Sequence, residues 1–106
     1  MSSADLFMEL VATYRKYGWE LRSVLLQPAT RAVLQELLDQ VPVKEANFDA
    51  LWFSRPSHNN REAWELRLLS QTQYALFEAF EPNETEEERA DVKLEMEARL
   101  RDYVVK

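Results

Sequence analysis

Glycine occurs once in this chain of 106 residues, at Gly18. Glycine lets a backbone enter left-handed conformations and approach a ligand closely, so its scarcity limits both the turns and the sites that can be built. The phosphate cradles of nucleotide-binding proteins rest on glycine-rich loops, and one glycine cannot supply a cradle of that kind. The single copy falls where a helix should stop. Leu6, Phe7, Leu10, Val11 and Tyr14 recur at helical spacing, Ser2 or Ser3 can cap the start, and Arg15 and Lys16 suit the negative C-terminal end. Gly18 then supplies a left-handed cap.

Trp19 to Leu26 alternates apolar and polar at first and then turns wholly apolar, the pattern of a strand that enters a buried region. Pro28 suits the first turn of a second helix, where a missing N–H costs nothing. Val33, Leu34, Leu37, Leu38 and Val41 form one apolar stripe along it, and Pro42 stops it. Lys44-Glu45-Ala46-Asn47 reads as a polar joint. Three segments of strand character follow, Phe48–Ser54, Ala63–Leu69 and Tyr74–Phe80, and they read as a meander. The first carries bulk on both faces and suits a central position; the second alternates Trp64, Leu66 and Leu68 with Glu65 and Arg67. Alanine and glutamate in the third also favour helix, so an all-α arrangement is the alternative.

The last element has a clear start. Pro82-Asn83 breaks the chain, Thr85 can cap, and Glu88 completes a capping box, while Val92, Met96, Leu100 and Tyr103 repeat every three or four residues to about Val104. The expected fold is therefore α+β, in the order α-β-α-β-β-β-α, with helices packed on a small, mostly antiparallel sheet and residues 1–106 forming a single domain. Trp19-Glu20-Leu21-Arg22 returns as Trp64-Glu65-Leu66-Arg67, an echo too short for a repeat unit, which reads as two half-buried strands that each present a Glu and an Arg to one face.

Charge narrows the possible partners. The net charge is −6, and ten acidic against four basic residues lie between Glu78 and Asp102. Nucleic-acid binding needs basic residues grouped on a face, which this pattern does not offer, and the same sign disfavours anionic membrane surfaces. No apolar run approaches the roughly 18 residues of a membrane span. The opening residues carry no basic stretch of a secretory leader, and cysteine is absent, so the expected location is cytoplasmic.

Candidate chemistry is sparse. His58 is the one histidine, set in Arg55-Pro56-Ser57-His58-Asn59-Asn60-Arg61 between two expected strands. Arg55, His58 and Arg61 could together hold an anion, though proline and asparagine there are also ordinary turn residues. The carboxylates around Glu84–Glu95 fit helix capping and a solvated face, and no ligand set for a metal or cofactor is present. A pocket on the sheet lined by aromatics is possible, but an aromatic core is the plainer reading.

These features point to a non-enzymatic protein-interaction domain, an acidic adaptor of chaperone-like or inhibitor-like character, and self-association is expected. Both faces of the Phe48–Ser54 segment demand burial, and Phe48, Trp52, Met96, Leu100 and Tyr103 are its candidate interaction surface. A small-molecule-binding or enzymatic domain, using a sheet pocket and the loop at residues 55–61, is the alternative.

Overall fold

In the computed structural model, which describes residues 2–105, helix α1 (Ser3–Lys16) starts where the Ser2 hydroxyl accepts the Asp5 amide at 3.1 Å. It ends in a double hydrogen-bond motif. Gly18 N–H donates to the Arg15 carbonyl and Trp19 N–H to the Tyr14 carbonyl, both at 3.0 Å, with Gly18 at φ +89°. The apolar contact that accompanies such endings is the edge-on approach of Trp19 to Tyr14, with ring centroids 6.1 Å apart.

Strand β1 (Glu20–Leu26) runs from half-exposed at its start to fully buried at Val24, Leu25 and Leu26, as its sequence pattern implies. The segment after it differs from expectation. Helix α2 spans only Pro28–Leu34; the chain then tightens into a 3-10 turn at Gln35–Leu37 and reverses at Gln40, whose φ is +63°. Leu34 and Leu38 reach the core, while Val33 and Leu37 are exposed, so the five-residue stripe does not form as one face. The reason lies downstream. Val43–Glu45, which overlaps the expected polar joint at Lys44–Asn47, is strand β2, which pairs parallel to β1 with Val24 opposite Val43. A crossover that must bring the chain back beside β1 leaves no room for a helix running on to Val41.

Strands β3 (Ala50–Pro56), β4 (Glu62–Leu68) and β5 (Ala75–Phe80) form the antiparallel meander, and the sheet order is β2-β1-β3-β4-β5. The chain is thus α+β. Glu62–Leu68 and Ala75–Phe80 lie in strand ladders, which overturns the all-α alternative. Strand β3 is central, as bulk on both its faces requires. Helix α3 (Glu86–Val104) opens with the full capping box: Thr85 Oγ1 accepts Glu88 N–H at 3.1 Å, and Glu88 Oε1 accepts Thr85 N–H at 2.8 Å. That carboxylate, bonded to the Thr85 backbone and side chain, titrates below the usual glutamate range.

Helices cover both faces. On one, Phe7 and Leu10 of α1 and Leu34 of α2 pack on Val24, Leu26, Leu51 and Phe53; on the other, Met96 and Leu100 of α3 pack on Leu25, Trp52, Leu66 and Leu76. Strand alternation explains the division, because successive residues of β3 point to opposite helical layers.

Candidate functional site

The loop singled out from sequence does not assemble a site. Arg55 Nη1 donates to the Tyr17 carbonyl at 2.6 Å, and its guanidinium lies 5.1 Å from the Trp19 ring centroid, which ties β3 to the end of α1. Arg61 instead pairs with Glu81 at 3.6 Å, beyond the end of β5. His58 starts an exposed 3-10 turn whose next residues, Asn59 and Asn60, sit at φ +59° and +60°, the left-handed region that asparagine tolerates. The two arginines serve separate structural ends, and the segment is a hairpin connection.

Four of the five residues proposed as an interaction surface are interior. Phe48, Trp52, Met96 and Leu100 are buried together between the sheet and α3. The apolar stripe of α3 shields this chain's own sheet, which is the burial that sequence reasoning had assigned to a partner. Tyr103 alone keeps appreciable exposure; it stacks on Tyr74 with centroids 3.7 Å apart and lines a cleft of about 390 Å³ with Asp49, Ser70 and Thr72.

The exposed apolar surface lies elsewhere. Helices α1 and α2 cover β1, β2 and β3 but stop short of β4 and β5, so the face of Glu65, Arg67, Ala75, Phe77 and Ala79 is open at its outer margin. Phe77, in the middle of β5, is 59% exposed. Trp19 approaches it edge-on at 6.4 Å, and Glu65 stands opposite it on β4. Strand β5 is last in the sheet, so its outer row of backbone groups has no partner strand among the described residues. At the boundary Tyr14 stacks on Phe53 at 4.0 Å and donates its phenolic proton to Glu65. Burial first, then the bond to Glu65 and that residue's charge, push the Tyr14 pKa up to about 12.

A signal for this face was present in the sequence. Ala75, Phe77 and Ala79 put apolar groups on the same side as Glu65 and Arg67, so the last meander strand has no polar face to turn to solvent. The Trp-Glu-Leu-Arg echo points to opposite sides, because Glu20 and Trp64 both stand opposite Ser54: Glu65 and Arg67 face the α1 layer, while Glu20 and Arg22 face the α3 layer.

Among the described residues no cluster of three or more His, Asp and Glu is placed to hold a metal, and no helix is long and apolar enough to cross a membrane. No family model, curated protein or solved structure matches the chain.

Proposed function

We propose that this chain is a non-enzymatic protein-interaction domain that pairs with a second copy of itself through the open margin of β5. The observation that carries this reading is Phe77, an exposed aromatic in the middle of an unpaired edge strand. Isolated apolar side chains are common on surfaces, but natural sheets usually protect a free edge with lysine, proline or a bulge. Strand β5, Ala-Leu-Phe-Glu-Ala-Phe, has no lysine, proline or bulge, and its one charge is Glu78. The opposite edge does: β2 is three residues long and carries Lys44.

Antiparallel pairing of β5 with its own copy is a two-fold contact, the commonest symmetry among identical chains, and would continue the sheet across both protomers. Arg55 and Arg61 are engaged in separate structural contacts, which favours this reading over a ligand site in the 55–61 loop. A chain without cysteine suits the cytoplasm, where we place it.

Sedimentation equilibrium at micromolar concentration tests the reading. The parent should sediment as a dimer and Phe77→Lys as a monomer. A monomeric parent overturns self-association.

A further inference from the structure

On the α3-covered side, far from the β5 margin, basic groups gather in one corner of this acidic chain. Arg22 follows Leu21, which faces the α1 layer, and so lies on this side; the bulge brings Ser23, opposite Trp52, to the same side, and β2 begins only opposite Val24, so the outer edge of β1 from Glu20 to Ser23 has no strand beside it among the described residues. Helix α3 crosses over the middle of the sheet and leaves a cleft of about 360 Å³ between its Lys93–Glu97 turn and that edge. Arg22, Lys44 and Lys93 line it, with Trp52 and Trp64 as its aromatic wall and Glu97 as its single acid.

That acid is committed. Glu97 Oε1 accepts from Lys44 Nζ at 3.0 Å, and Oε2 accepts from Trp52 Nε1 at 3.0 Å. Arg22 pairs only with Glu20, at 3.3 Å on the exposed surface, a contact of the kind that contributes little and yields readily. Lys93 makes none of the ion pairs found among the described residues; its ammonium stands 3.3 Å above the Trp64 ring centroid, partly stripped of water. Burial lowers its pKa, with Glu62 and Glu86 opposing that shift and Arg89 and Arg22 adding to it. Lys44 and Glu97 cancel and Glu20 faces Arg22, so three cations against two carboxylates leave one net positive charge at this corner, carried by Lys93, in a chain whose net charge is −6.

We propose that this corner is a binding site for a small phosphate monoester, with the phosphate held between Arg22 and Lys93. A guanidinium fork matches phosphate oxygens and a lysine serves as a point charge, while Ser23, which also lines the cleft, adds a neutral donor. The cleft falls within the usual size of small-molecule sites, roughly 300–1,000 Å³, so an organic portion fits beside the indoles. This site lies across the sheet from Phe77 and does not depend on self-association.

The three tryptophans make the test internally controlled, because Trp52 and Trp64 wall the cleft whereas Trp19 lies on the opposite face. Inorganic phosphate is titrated into the isotope-labelled chain with sodium chloride at matched ionic strength, and the indole N–H signals are followed. Phosphate should shift Trp52 and Trp64 saturably, with a Kd near ~1 mM for so small a probe, and leave Trp19 in place. Arg22→Gln, on the exposed strand edge, and Lys93→Met should each weaken binding by about tenfold. Three results overturn the site: shifts that track ionic strength at all three indoles, succinate acting as well as phosphate, or Arg22→Gln binding like the parent.

Discussion

Tyr14 and Glu65 join the first helix to the fourth strand: the phenol donates to the carboxylate at the point where helical cover over the sheet ends. The bond gives Glu65 a partner at the edge of the apolar layer and holds Tyr14 flat against Phe53. Because the folded chain keeps the phenolic proton up to about pH 12, while an unfolded tyrosine releases it near pH 10, the folded state binds more protons between those values. Stability contributed by this contact is complete below about pH 10 and falls as pH rises toward 12. Tyr14→Phe should cost about 1 kcal/mol at neutral pH, and the gap between variant and parent should shrink by about pH 11. Urea unfolding at the two pH values measures it; a gap that stays constant would place the pKa at its ordinary value.

Gly18 offers a clean separation of backbone from packing. A Cβ added there meets nothing within 4 Å, yet φ is +89°. Gly18→Ala should therefore destabilise by about 1–2 kcal/mol through backbone conformation alone, and Gly18→Asn by less, because asparagine tolerates the left-handed region. Equal urea midpoints for parent and Gly18→Ala would mean that the end of α1 rearranges without cost.

Local signals made α1 and α3 legible from sequence: a serine cap and one glycine for the first, a capping box for the last. The central place of β3 followed from Leu51, Trp52 and Phe53, which leave the strand no face for solvent. Strand β2 was hidden because Val43-Lys44-Glu45 is an edge, where polar residues are normal and propensity says little. Val33 and Leu37 misled because periodicity records where apolar groups could align and not where the chain must return. The site was hardest to see. Met96 and Leu100 look available only while the far face of the sheet is taken as uncovered, and Arg22, Lys44 and Lys93 are far apart in sequence and come together only because β1, the edge strand β2 and α3 meet at one corner.

Asp49, just before β3, completes a helix that cannot cap itself. The N-cap residue of α2, Gln27, makes no side-chain cap, and Asp49 instead accepts from the Gln27 backbone at 2.8 Å, from Gln27 Nε2 at 3.1 Å and from Thr30 Oγ1 at 2.7 Å. Asp49→Ala removes all three and should cost about 1–2 kcal/mol, the upper part of the range for lost caps. The midpoint in urea should fall with an unchanged slope, since the surface exposed on unfolding is nearly the same. An unmoved midpoint would show that water replaces the carboxylate without loss.

Phe77 and Phe80 sit three residues apart on β5 and should respond in opposite ways. Phe80 is 1% exposed and points to the α3 side, within 5.6 Å of the Arg89 guanidinium, so Phe80→Ala should cost about 3–5 kcal/mol as a core truncation. Phe77 is 59% exposed, and Phe77→Lys places a cation opposite Glu65 in the ladder, a favourable cross-strand pair. Its effect on the stability of the single chain should stay within about 0.5 kcal/mol. The same lysine puts like charges at the two-fold contact and gives the strand the protection that natural edges carry, so association should be lost. Unfolding by urea at low concentration and sedimentation at high concentration separate the two quantities. If Phe77→Lys lowers single-chain stability as much as Phe80→Ala does, Phe77 is a folding residue covered by Trp19, and the β5 margin is not a docking edge.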